Sequence, residues 1–185
     1  PKIETYGKMI FIVLRTAQMK EGNIELGETH FFLGTNFLIT VRHESSKSYA
    51  EIRNRCESTP SLLRKGPGFA LYAVMDAIVD QYFPVIDALE QEMGMLEGEI
   101  FHERLRRETT TTVYKLRRKL LEVKRVVSPL IDICNRLMRF DLHLIDDETR
   151  PYLRDVYDHA IRINDLIDNQ RELLSSAMET NLSLL

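Results

Sequence analysis

The sequence predicts an α+β fold: a small, mainly antiparallel sheet, then long antiparallel helices and an extended stalk helix. Three observations carry this. The first 42 positions hold runs of β-branched, aromatic and aliphatic residues separated by turn formers. Three later stretches place apolar residues in alternating steps of three and four. No Gly or Pro follows Pro151, so the last of these stretches can run unbroken.

Lys8–Thr16 (KMIFIVLRT) is apolar on both faces, as a buried strand requires. Ile24–Leu33 and Phe37–Arg42 read as two more strands, with Gly34-Thr35-Asn36 as the hairpin turn between them and Met19–Asn23 as an earlier turn. Joined this way the three form a meander. Ser48–Cys56 suits a short helix, and Pro60, Gly66, Pro67 and Gly68 mark a break.

A long helix is expected from Phe69 to about His102, with the stripe Leu71, Met75, Ile78, Tyr82, Val85, Leu89, Met93, Leu96 and Ile100. Pro84 should kink it by removing a hydrogen bond. A second runs from Glu108 to about Phe140, carrying Val113, Leu116, Leu120, Val123, Val127, Leu130, Cys134 and Leu137, with a bend at Pro129. The third, Asp146–Leu185, spans about 39 residues, roughly 58 Å at 1.5 Å per residue. Asp146, Asp147 and Glu148 would favour its N-terminus. Its seam reads Leu153, Val156, Ala160, Ile163, Ile167, Gln170, Leu174, Ala177: a heptad broken by one polar residue. Helices this long cannot all lie on three strands. Two should pair as a hairpin, and the last should leave the domain.

Hydrophobic residues make up 44% of the 185, enough for a sizeable core, and a net charge of −3 does not favour nucleic acid. That charge is unevenly spread. Residues 101–130 carry nine Lys/Arg against three Asp/Glu, and 146–185 carry nine Asp/Glu against four Lys/Arg. Two helices of opposite sign should therefore lie near each other or near partners. Cys56 and Cys134 form no metal pattern and read as free thiols. No signal peptide is visible, and no apolar run approaches the roughly 20 residues of a membrane span. With Pro1 at its start and a helix still running at Leu185, the chain reads as an excised soluble fragment.

Metal chemistry is the one kind these residue types suggest. Asp76 and Asp80 stand four apart on one helix face, and Asp87 follows seven after Asp80. Asp155 and His159 are also four apart, with Asp158 beside them. Carboxylates suit Mg²⁺ or Ca²⁺, and an added imidazole suits zinc or cobalt. Asp158, Asp165, Glu172 and Glu179 repeat by sevens as an acidic column along the last helix, served either by water or by cations. Acids at such spacing are also ordinary on solvated helices. The basic run Lys115, Arg117, Arg118, Lys119, Lys124 and Arg125 could meet phosphates, anionic lipid, a neighbouring acidic helix or water. P-loop, GxGxxG, GxSxG and HExxH signatures are absent, and the chain is not expected to be an enzyme.

Four segments in order, PKIETYGKMIFIVLRT, GFALYAVMDAIVDQYFPVID, LRRKLLEVKRVVSPL and TRPYLRDVYDHAIRINDLID, resemble the CorA family of magnesium and cobalt transport proteins. The resemblance implies a membrane homopentamer with a cytoplasmic sensor for divalent cations, Mg²⁺ first, with Co²⁺ or Zn²⁺ as alternatives. It implies part of an N-terminal α/β/α domain in residues 1–68, a helical hairpin in 69–144, and a stalk helix in 145–185 leading to membrane spans beyond Leu185. Asp155 matches the family's stalk sensor aspartate, and Asp76 an acid of a second regulatory ion position. Glu179 keeps only the charge of an acid near the pore's inner mouth. The acidic pair that would face Asp155 from a neighbouring subunit would precede Pro1, and the Gly-Met-Asn signature would follow Leu185. A zinc-transporting branch of the family is one alternative. A coiled-coil interaction scaffold without ions is a second, and a membrane-surface helical hairpin using the basic run is a third.

Overall fold

The computed structural model describes residues 1–44, 48–102, 107–139 and 143–183. Phe140, Leu184 and Leu185 lie outside the described residues, as do the side chains of Ile100 and His102. Four antiparallel strands, β1 (Lys2–Tyr6), β2 (Met9–Lys20), β3 (Asn23–Leu33) and β4 (Leu38–His43), form a meander in sequence order. Alternation sets its inner face: Ile10, Ile12 and Leu14 of β2 are buried opposite Leu33, Phe31 and Thr29 of β3. The β2–β3 turn is Glu21-Gly22, both at positive φ (49° and 74°), which matches the right-handed twist of the flanking strands. Strand β1 was not expected. In it only Ile3 and Thr5 pair with core-facing Ile12 and Ile10, too short an apolar signal to stand out.

Six helices follow: α1 (Ala50–Glu57), α2 (Pro60–Leu63), α3 (Pro67–Asp80), α4 (Tyr82–His102), α5 (Arg107–Leu137) and α6 (Arg150–Ser183). The expected kink at Pro84 is a break three residues earlier, at Gln81, that separates α3 from α4. Pro84 has no N–H for the Asp80 carbonyl and its ring crowds that oxygen, so strain falls on the preceding turn. There the Gln81 N–H bonds three residues back, to Ile78, at 3.2 Å. Pro129 is carried inside a continuous α5. Helix α6 begins at Arg150, four residues later than expected. Pro151 cannot donate to Asp147, so the ladder opens with Tyr152 and Leu153 bonding the Thr149 carbonyl at 3.1 and 3.2 Å. Asp146, Asp147 and Glu148 form the turn before the helix instead.

All eight seam positions of α6 are buried, Gln170 included. The seven apolar ones join the apolar faces of α3, α4, α5 and the sheet in one continuous core running from Ile10 to Ala177. The last helix therefore stays packed on α3, α4 and α5 rather than leaving them, because its seam needs a partner along its whole length. The oppositely charged stretches do meet. Lys124 of α5 donates to both oxygens of Asp168 at 2.5 and 2.6 Å, and Ser128 donates to the Asn164 side-chain oxygen at 2.8 Å. Buried Tyr82 ties the helices to the sheet by donating its hydroxyl hydrogen to the Arg15 carbonyl. The stretch Pro67–Gly98 is long and apolar enough by composition to cross a membrane, although no such run was read in the sequence. In this fold it supplies the core, with 56% of its most apolar window buried.

Candidate metal centre

Two N-terminal ends are brought into register first. Gly68 opens α3 so close to the segment entering α6 that an added Cβ would lie 3.2 Å from the Leu144 carbonyl oxygen. One turn on, the rings of Phe69, Tyr72 and Tyr152 meet at centroid separations of 5.1–5.4 Å. From this clasp α3 and α6 run side by side in the same direction. Two turns beyond Tyr72 and Tyr152 the facing residues are Asp80 and His159.

Asp76 and Asp80 of α3 and His159 of α6 each place one donor atom within 4.8 Å of the others. Two ligands on one cation at about 2.1 Å stand roughly 3–4 Å apart, so small side-chain movements would close the group on an ion. The His159 Nδ1 lies 3.9 Å from an Asp80 oxygen, too far for a hydrogen bond, and this atom is buried without a hydrogen-bond partner among the described residues. The ring is held edge-on against Phe83 at 5.7 Å.

The electrostatics is that of an unbalanced site. Burial pushes the Asp76 carboxyl above its ordinary range, and the charge of Asp80 pushes it further. His159 and Arg55 pull it back by less, and Asp155 adds to the upward push. The Tyr72 hydroxyl, on the same face, is raised to about 12 by burial first and then by Asp76 and Asp155. Asp76 is half-buried and Asp80 exposed, and a half-buried carboxylate crowded in this way gains from a cation that enters beside it. Two carboxylates and one imidazole fit Mg²⁺ with several waters retained, or Co²⁺ and Zn²⁺ with the nitrogen engaged.

Sequence reasoning singled out Asp76 and Asp155 together. The structure groups Asp76 with Asp80 and His159; Asp155 is exposed one turn before His159, contributing field but no donor to the group. Asp158, Asp165, Glu172 and Glu179 are exposed along α6 and not ion-paired among the described residues, and Asp87 is exposed farther along α4. The spacing within each helix was visible beforehand, but the meeting of Asp80 with His159 was not. Its signal was the place of His159 beside Val156 and Ala160, at the margin of the buried seam.

The whole chain, residues 1–185, matches the model of the CorA-like Mg²⁺ transporter protein family. It is 31% identical over 186 residues to the cobalt/magnesium transport protein CorA of Thermotoga maritima, covering 99% of this chain and 53% of that one. It is 28% identical over 184 residues to the putative metal ion transporter YfjQ of Bacillus subtilis, covering 100% and 57%. The chain thus spans about half the length of these relatives. The soluble domain of CorA from Methanocaldococcus jannaschii superposes with a TM-score of 0.79 at 23% identity, over all of this chain and 74% of that structure, which establishes the shared fold. With a family match from first residue to last, the chain belongs to the CorA-like Mg²⁺ transporter family.

Proposed function

We propose that this chain is the cation-sensing, regulatory part of a divalent-cation transporter, and that Asp76, Asp80 and His159, with Asp155 beside them, are its sensor. The observation that carries this is the raised Asp76 carboxyl, crowded by a second acid and faced by an imidazole whose Nδ1 has no hydrogen bond among the described residues. Asp76 and Asp80 place carboxylate oxygens within 4.8 Å of each other, and two unit charges at that limit repel by about 1 kcal/mol in water and about 3.5 kcal/mol at an effective dielectric near 20. A divalent ion removes that repulsion and bridges α3 to α6, so ion occupancy biases how firmly α6 is held. Exposed Asp155 and the column Asp158, Asp165, Glu172 and Glu179 suit contact with neighbouring copies, a pentamer in the family resemblance, or with ions between them. The role is transport regulation on the cytoplasmic side of the cell membrane, not enzyme catalysis.

Mg²⁺ and Co²⁺ are the first candidates, and the imidazole is the observation that keeps Zn²⁺ with them. Calorimetric titration of this chain should show Mg²⁺ binding in the millimolar range, weakened by Asp76→Asn. Co²⁺ or Zn²⁺ should bind more tightly than Mg²⁺, and His159→Gln should remove that advantage. Micromolar Mg²⁺ binding indifferent to Asp76→Asn would overturn the assignment of the site. For the regulatory role, Asp155→Asn in the complete transporter should lessen closure by Mg²⁺, and unchanged Mg²⁺ inhibition of current would refute it. Mg²⁺ should also protect the assembly from protease, which an ion-free coiled-coil scaffold would not show.

A further inference from the structure

The basic run on α5 is divided by the fold. Lys119 is taken up by Glu92 at 2.8 Å and Lys124 by Asp168. Arg118 and Arg125 are not ion-paired among the described residues. Seven residues apart, they share one face of α5, and that face looks toward the sheet. There Arg15 of β2, whose guanidinium is ion-paired among the described residues with Glu28 alone, at 3.4 Å, joins them around a cavity of about 590 Å³. Its floor is apolar, formed by Leu26 and Leu121 with buried Val126, and Pro1 lies at its edge. Glu122 stands between the two α5 arginines, itself without an ion pair among the described residues.

We propose that this groove binds a phosphate-bearing small molecule with an apolar body, of the nucleoside di- or triphosphate class. Three guanidinium groups around one cavity match phosphate oxygens in charge and in forked geometry. The volume lies within the roughly 300–1,000 Å³ of small-molecule sites, more than a bare phosphate fills. The apolar floor and the flat faces of the arginines can cover a base. Glu122 distinguishes the candidates further. A carboxylate among the arginines repels bare polyphosphate, while it accepts hydrogen bonds from sugar hydroxyls. The inference does not use the metal centre, which lies on the α3–α6 face.

The test is calorimetric titration of the complete protein with ADP, with inorganic tripolyphosphate and with orthophosphate, free of Mg²⁺, at low and high salt. ADP should bind, more weakly at high salt, and orthophosphate should not. The pair Arg118→Ala and Arg125→Ala together should weaken ADP by about tenfold or more, as expected for lost charge-assisted contacts. Lys115→Ala with Arg117→Ala removes the same charge from the same helix outside the groove, and should leave ADP binding unchanged. Glu122→Gln should weaken ADP and strengthen tripolyphosphate. Equal loss in both double variants would reduce the effect to net charge and overturn the site. Binding of tripolyphosphate without ADP would overturn the apolar body. Failure of every soluble probe, with or without adsorption to vesicles of anionic phospholipid, would overturn the proposal outright. All four arginine and lysine positions are exposed, so the variants should fold, which circular dichroism checks.

Discussion

Asp168 and Asp76 stand in helix contacts of similar kind and are treated in opposite ways. Asp168, between α5 and α6, receives Lys124 and then Arg171 at 3.0 Å, and these partners hold its carboxyl below the usual range. Asp76, between α3 and α6, has no ion pair among the described residues, and burial with the charge of Asp80 holds its carboxyl above it. One contact is electrically closed within the chain, and the other is left open. Within one copy of the chain, the difference favours the α3–α6 contact over the α5–α6 contact as the place for the proposed cation.

The largest expected effect separates the two carboxylates by their answer to metal. With Mg²⁺ or Co²⁺ at about 30 times its dissociation constant, a single site on the native state should add about 2 kcal/mol of stability. For a chain of this size that is roughly 5 °C in melting temperature. Asp76→Asn should abolish this increment and leave the metal-free protein at least as stable, since it removes a crowded charge. Asp168→Asn should do the reverse, lowering stability and leaving the metal increment intact. Thermal unfolding followed by circular dichroism reads both, and an unchanged increment in Asp76→Asn would dissolve the contrast.

A neutral group sharpens it next. Gln170 is buried in the α6 seam with neither end of its amide hydrogen-bonded among the described residues. Unsatisfied buried amides are expensive, and Gln170→Leu should stabilise the chain by about 1–2 kcal/mol. A lowered denaturation midpoint would show that the amide has a partner in solution. Lys124→Met follows, opening the closed contact at a cost of about 1 kcal/mol, because both side chains are partly exposed. In the double variant with Asp168→Asn most of that cost should be recovered, which a denaturant double-mutant cycle measures.

The helices were legible because a seam buried along its whole length must repeat in the sequence, and every seam position of α6 is buried as read. What was not legible was set by neighbours. Strand β1 exists because β2 offers it an edge, not because KIETY signals a strand. The α3–α4 break falls at Gln81 because strain from Pro84 is relieved upstream. At the site, carboxylates four apart are a local pattern and could be read. The facing of Asp80 by His159 depends on Gly68 and the aromatic clasp fixing how two helices lie together, a relation between segments about 80 residues apart that no spacing within either can show.

The smallest effect is in pH, and it has opposite signs for the two acids. Asp76, raised above its ordinary 3.8, holds a proton in the folded chain that the unfolded chain has already released. Through the window just above 3.8 its contribution to stability therefore falls as pH rises. Asp168, lowered below 3.8, binds its proton more weakly folded than unfolded. Its contribution is complete above 3.8 and is lost as pH falls through its folded value. Carboxylate chemical shifts followed by NMR should show Asp76 titrating at higher pH than Asp168. Protons also compete with metal for Asp76, so the increment from Mg²⁺ should fade on acidification at a pH where the Lys124–Asp168 pair is still intact. If the two carboxylates titrate together, the contact between α3 and α6 is no more open than its counterpart between α5 and α6, and the cation loses its reason to choose it.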